Sequence, residues 1–245
     1  MIKQTPGKIF LGDQRGAAET AQYRRYSTFQ FGAYVHEHKQ AFGNLQAVNE
    51  ETLGGGQQVT LKVTEATHVL IIPVTGAVRV GLLQETPALT HVEEMHLLTV
   101  PAGSTLHFAN PYDNEVITFL HLWIRVPQTA EGALNRLFTF NCQDQPNQLV
   151  EVKQIVPVQV ADQTGVSLPF KVSIGRFAGR QETLYTLKKP TSQVFLFVLA
   201  GAFEVEGRLL HEKDGLALWD TAEVELEALS NEAVVVAIEL EASMT

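Results

Sequence analysis

One pattern is written twice in this chain, first as His68-Val-Leu-Ile-Ile-Pro-Val-Thr-Gly76-Ala-Val-Arg-Val80 and again as Gln193-Val-Phe-Leu-Phe-Val-Leu-Ala-Gly201-Ala-Phe-Glu-Val205. The copies align without a gap. Each is an apolar run rich in β-branched and aromatic residues, stopped by Gly-Ala and resumed by alternating residues. Such a run reads as a buried strand, a tight turn and a return strand. The pair predicts a duplicated β domain.

Bulk composition agrees, because 245 residues of which 45% are hydrophobic supply the cores of two β domains of ordinary size. The formal net charge of -9 opposes direct nucleic-acid or acidic-membrane binding, since a phosphate backbone selects for a positive face. A single cysteine, Cys142, forms no internal disulfide and no cysteine-rich metal site. The segment Met1-Ile-Lys-Gln-Thr-Pro-Gly7 has no apolar core for export, and no stretch reaches the roughly 18 apolar residues of a membrane span. A cytoplasmic protein with no membrane partner is the expectation.

From Phe29 to Val126 the signals are short alternating or apolar runs separated by glycine, proline and polar clusters, which is all-β behaviour. In Val59-Thr60-Leu61-Lys62-Val63-Thr64, a strand puts Lys62 and Thr64 on one face and Val59, Leu61 and Val63 on the other. Thr129 to Phe140 is the best helix candidate, with Leu134, Leu137 and Phe138 at helical spacing. Seven short strands follow between Val172 and Leu240. The predicted organisation is an N-terminal domain over 1–127, a linker with a short helix over 128–150, and a C-terminal domain over 151–245. No phosphate loop, zinc-binding His-Glu-x-x-His or nucleophile elbow occurs.

Phe29-Gln-Phe31-Gly32, Phe42-Gly43-Asn44-Leu45, Val48-Asn49-Glu50, Gly54-Gly-Gly56 and the run to Gly76 resemble the N-terminal half of pirin-like proteins. Phe177-Ala-Gly179 and the run to Val205 resemble the C-terminal half. The resemblance covers nearly the whole chain and implies a bicupin: two tandem cupin β-barrels of the jelly-roll type. It also implies a metal in the first barrel, held by a His-x-His pair on one strand, a further His and a carboxylate. Residues i and i+2 of a strand point into the same cavity, and imidazole with carboxylate suits iron, nickel, copper or zinc.

Counted back from Gly76 with the family's spacing, the His-x-His pair falls on Lys62-Val63-Thr64. His107 is the counterpart of the later histidine, and Ala109 stands where the carboxylate is implied. His68 and His107 are then the only metal candidates, and two imidazoles do not normally hold a catalytic metal. An ammonium at position 62 repels a divalent cation and attracts an anion, or else lies along the barrel mouth with its head in water. His121, in Phe119-Leu-His121-Leu-Trp123, points into the first barrel or is a satisfied core histidine. His36 and His38 read as a solvated loop, and His91 and His96 as surface residues near a turn.

Lys62, Thr64, His68, His107 and His121 are therefore the ligand-binding candidates. The first functional expectation is a small-molecule-binding or regulatory bicupin without the metal, taking an anionic or aromatic ligand and needing no cofactor. Two alternatives stand beside it. One is a quercetin 2,3-dioxygenase-type oxidoreductase using iron, nickel or copper on His68 and His107, with His121. The other is a metal-free isomerase in which Lys62 stabilises an anion and His107 moves a proton. No protein partner is specified by the sequence.

Overall fold

The computed structural model describes residues 4–83, 85–126, 134–152, 168–189 and 191–241. In chain order the first strands are β1 (Gly7–Phe10), β2 (Gly16–Thr20), β3 (Tyr23–Ser27), β4 (Leu45–Leu53), β5 (Gln58–Lys62) and β6 (Thr67–Thr75). They continue as β7 (Ala77–Leu82), β8 (Ala88–His91), β9 (Glu94–Val100), β10 (Thr105–Ala109), β11 (Ile117–Arg125) and β12 (Asn135–Thr139). The later strands are β13 (Val150–Glu151), β14 (Phe170–Phe177), β15 (Glu182–Thr186), β16 (Gln193–Ala200) and β17 (Phe203–Val205). The last four are β18 (Arg208–Leu210), β19 (Gly215–Leu218), β20 (Glu223–Ala228) and β21 (Ala233–Leu240). One turn of 3-10 helix, Gly12–Gln14, is the only helix among the described residues.

Two units result, each a pair of antiparallel sheets closed on an apolar core. The N-terminal unit has one sheet ordered β12-β9-β6-β11-β4-β3-β2 and another ordered β5-β10-β7-β8. The C-terminal unit has sheets ordered β1-β19-β16-β21-β14-β13 and β15-β20-β17-β18. Adding ten to the label of each strand from β4 to β11 converts the first pattern into the second. The duplication read from the sequence is therefore a duplication of topology.

The repeated hairpins sit at the same place in both units. β6 lies between β9 and β11, and β16 between β19 and β21, so both runs are central and buried on both faces. Their turns use Gly76 at φ 71° and Gly201 at φ 76°, a left-handed conformation that costs a residue with a Cβ about 1 kcal/mol or more. Pro73 is tolerated inside β6 because pairing with β9 ends at Ile71 and the register with β11 shifts beside it. There the Thr118 amide donates to Thr75 Oγ1 at 2.9 Å.

The edges of the two main sheets differ from the sequence reading. Residues 135–139 form β12, not a helix, and pair with β9; residues 129–133 of the expected helix lie outside the described residues. The Leu134, Leu137 and Phe138 spacing fits a helix, but Leu134 and Phe138 are buried by strand pairing at a sheet edge. Residues 4–15 belong to the C-terminal unit, where β1 pairs with β19. Among the described residues one unit thus holds 16–140, and the other holds 4–15 with everything from 141 onward. Each main sheet is completed on the β9 or β19 side by a strand from outside the expected domain span.

Candidate functional site

The interior of the N-terminal unit is apolar except on three adjacent strands, β11, β4 and β3. Their register places His121 opposite Asn49, and Glu51 between Phe119 and Arg25. Directly opposed residues share a face, and Phe119, Trp123, Ala47 and Leu53 belong to the core cluster. Asn49, Glu51, His121 and Arg25 are therefore turned into the barrel.

These side chains form a chain of hydrogen bonds. Arg25 Nε donates to Glu51 Oε1 at 2.5 Å, His121 Nε2 meets the same oxygen at 3.0 Å, and Trp123 Nε1 donates to His121 Nδ1 at 2.7 Å. An indole N–H only donates, so Nδ1 carries the lone pair and the imidazole proton sits on Nε2, donated to Glu51. Burial pushes the Glu51 carboxyl up, but the bond from His121 and the nearby positive charge outweigh it and leave the group below its ordinary value. Burial also holds His121 below its ordinary value against the pull of Glu51. The resulting state is an anionic Glu51, a cationic Arg25 and a neutral His121.

Aromatic rings surround this chain. The Arg25 guanidinium lies 5.0 Å from the Phe31 ring centre and 5.6 Å from that of Tyr23, distances at which a cation meets the ring face favourably. Burial, reinforced by the Glu51 charge, raises the Tyr23 phenol. Phe108 packs on His121 at 5.2 Å. A cavity of about 560 Å³ adjoins the group, walled by Arg25, Phe31, Leu61 and Trp123, with Lys62 and Thr64 on its wall as well.

The five sequence candidates separate. Lys62 and Thr64 reach the cavity but are exposed, because Leu61 and Val63 take the inward positions. Of the two places open to Lys62, inside the barrel or along its mouth, the structure has the side chain at the exposed one. His107 lies on the outer face of β10, since Leu106 and Phe108 point inward, and its Nε2 meets Gln58 Oε1 at 2.9 Å. His68 is buried on the face of β6 opposite the Val69 and Ile71 core, with Nδ1 3.0 Å from Thr99 Oγ1. Burial pushes it down to about 4. His68 and His107 are not brought together, and only His121 enters the interior group.

His96, read as a surface residue, is buried between Thr90 Oγ1 at 3.2 Å and Asn135 Oδ1 at 2.7 Å. Arg25, Asn49 and Glu51 carry the interior chemistry and were not singled out. The usable signal was a polar residue on an apolar face. It was masked because β4 is buried on both faces, so Glu50 and Glu51 give no period of two. Among the described residues, no three His, Cys, Asp or Glu side chains are placed to hold a metal ion.

The second unit supplies an internal control. Carrying the ungapped alignment through the strand registers puts Ala237, Ser173 and Gly175 at the positions of His121, Asn49 and Glu51. Glu239 stands where Trp123 does, and it is fully engaged by Lys171 Nζ at 3.2 Å, the Tyr185 hydroxyl at 3.3 Å and the Lys188 amide at 2.7 Å. The same architecture therefore closes without a buried Arg-Glu-His chain.

Two barrels of one topology in tandem, one with a polar interior beside a cavity, define a bicupin. Residues 164–240 match the quercetinase C-terminal cupin domain, and the two-barrel fold of the chain is the one seen in solved pirin structures. It is similar in fold to YhhW from Escherichia coli, at 16% identity and TM-score 0.80, covering 98% of this chain and 100% of that one. The same bacterial pirin in complex with nickel(II) gives a TM-score of 0.79 at 16% identity, covering 97% and 100% of the two chains. Quercetin 2,3-dioxygenase from Acinetobacter baumannii is similar at 15% identity and TM-score 0.68, over 98% of this chain and 80% of its own. No curated protein matches in sequence. Among the described residues, no helix is long and apolar enough to cross a membrane.

Proposed function

We propose that the N-terminal unit binds a small anionic or aromatic molecule in the cavity walled by Arg25, Phe31 and Trp123, and does so without a metal ion. The observation that carries this reading is the commitment of both His121 nitrogens, one donating to Glu51 and one accepting from Trp123. While Trp123 holds its place, the one imidazole lone pair, on Nδ1, is taken by the indole N–H and not offered to a metal. The other implied positions offer an exposed ammonium at Lys62, a hydroxyl at Thr64 and the outward His107. That donor set does not fit a cupin metal centre. Phe31 and Trp123 give an aromatic ligand rings to pack against, and the exposed Lys62 on the same wall attracts an anion. A cytoplasmic setting is part of the same reading.

Elemental analysis of protein purified without chelators or a metal-binding tag tests the metal-free part. Near-stoichiometric iron, nickel or copper that is lost in His68→Ala or His107→Ala would overturn it in favour of the dioxygenase reading. Binding is read from Trp123 fluorescence in a Trp219→Phe background, since the chain has two tryptophans. Benzoate and quercetin serve as probes. Quenching that saturates, and that weakens at least several-fold for benzoate in Lys62→Ala, is the expected result. No saturable response to either probe sinks the binding reading.

A further inference from the structure

Glu51 and His121 have the arrangement of a carboxylate-oriented base: a buried carboxylate accepts the proton of one imidazole nitrogen and fixes the tautomer, leaving the other nitrogen with its lone pair. That second nitrogen, Nδ1, accepts from Trp123 Nε1 at 2.7 Å, and Trp123 is itself part of the cavity wall. The indole thus occupies the place where a bound molecule would present a proton. The C-terminal unit shows that the fold does not require this group, because Ala237, Ser173 and Gly175 replace it there.

We propose that Glu51 and His121 form a metal-free general-base pair, with His121 Nδ1 as the base capped by Trp123, for removing an acidic C–H proton from a small carbonyl compound bound in the cavity. The assignment rests on the binding reading above and adds a reaction class to it. Nδ1 takes the proton, and the C–H electron pair moves to form a C=C bond as the carbonyl π pair passes to oxygen. The enolate charge meets the Arg25 guanidinium at the wall; in a β,γ-unsaturated carbonyl compound it extends to the γ-carbon, which takes the proton back from Nδ1 as the C=O re-forms and the C=C bond moves into conjugation. Nothing is oxidised or reduced, so the product is an isomer. His121 is the catalytic residue and Glu51 a positioning residue. Around the imidazole the charged and titratable groups are Glu51 and, beyond it, Arg25 and Tyr23. The remaining ring neighbours, Phe31, Phe108 and Phe119, are apolar.

The test uses the full-length chain and two probes. Trp123→Phe removes the capping N–H and keeps a ring. Carbethoxylation by diethyl pyrocarbonate, followed at His121 by peptide mass spectrometry, is expected to be at least ten-fold faster in Trp123→Phe than in the native protein. The second probe, 5-nitrobenzisoxazole, loses its ring C–H proton to a base as its N–O bond breaks and a coloured phenolate leaves. Trp123→Phe is expected to open it at least ten-fold faster than the native chain, with a rate that rises through one ionisation. His121→Gln in the Trp123→Phe background should abolish the gain, and Glu51→Gln should shift the pH profile of the rate.

Each variant is checked for folding by circular dichroism, and Glu51→Gln carries the test if the His121 variant does not fold. Equal carbethoxylation in native and Trp123→Phe protein overturns the capped base. So does a gain in ring opening that survives His121→Gln. Failure of the inert isostere 5-nitrobenzotriazole to quench Trp123 counts instead against the binding reading. Carbethoxylation still decides the base in that case.

Discussion

Asn49 is fully buried, and neither its amide nitrogen nor its oxygen has a hydrogen-bond partner. Glu51 Oε2 likewise lacks a well-formed hydrogen bond, although the Tyr23 phenol, raised by burial and the Glu51 charge, lies within reach of this carboxylate. An unsatisfied buried polar group costs about 1–3 kcal/mol, so Asn49→Leu, which keeps the branched four-atom side-chain shape in a larger volume, is expected to raise stability by about 1 kcal/mol in urea denaturation. A loss of stability there would mean that the amide is satisfied in solution. His68 gives a prediction of the opposite kind. Its folded value of about 4 lies below that of an unfolded histidine, so from about pH 6.5 down to 4 the unfolded chain takes up a proton that the folded chain does not. Stability falls as pH falls through that window, by at most about 3 kcal/mol for this group, and His96 and His121 act in the same direction. His68→Leu should flatten the decline between pH 6.5 and 4, and an unchanged slope would refute the assignment. His121 was legible in the sequence only as a histidine inside an apolar strand, either facing the barrel or satisfied within the core. Its partners were not, because Arg25 and Glu51 meet it only through pairing of strands that lie 26 and 70 residues apart.

At the scale of elements, the strands that repeat were readable and the strands that complete the sheets were not. β6 and β16 declare themselves by apolar runs ending in a glycine that the turn requires. β1 and β12 are short edge strands whose partners, β19 and β9, are distant in sequence, and local periodicity carries no trace of such pairing. The same logic makes β1 testable. Phe10 packs edge-on to Phe195 at 5.9 Å, and the Gly12 amide donates to Asp214 Oδ1 at 2.6 Å, so the N-terminal strand is pinned to the C-terminal unit. Deleting residues 1–12 should speed hydrogen exchange in β16 and β19 while leaving β4, β6 and β11 protected. Loss of protection confined to β9 and β6 would show that the strand serves the other unit. The deletion also bares the backbone edge of β19, and concentration-dependent association is the expected consequence.

Across the whole molecule the two units share a topology and divide the chemistry. The N-terminal unit keeps a charged chain in its interior, where removing one partner strands a buried charge. The C-terminal unit has no counterpart of that chain, keeps one buried carboxylate, Glu239, held by Lys171 and Tyr185, and places other acidic side chains on the outer face of its smaller sheet. Along β15, β20 and β17, Glu182 stands directly opposite Glu227, and Glu204 opposite Glu227 on the other side. Glu204, Glu206 and Glu225 border the same groove. Like charges directly opposed across strands destabilise a sheet by a few tenths to about 1 kcal/mol per pair; among the described residues Arg180 meets Glu227 from the cationic side, at 3.1 Å. With a net charge of -9 on the chain, this face is strained by its own field. Because exposed charges are screened over roughly 10 Å at 0.1 M salt, raising sodium chloride from about 0.02 to 0.5 M should increase the thermal midpoint of the protein. Glu204→Lys places an ammonium opposite Glu227. It should stabilise the low-salt protein by a few tenths to about 1 kcal/mol and reduce the dependence on salt. A midpoint that falls with salt, or a Glu204→Lys variant as salt-sensitive as the native chain, would show that the acidic face is not what limits stability.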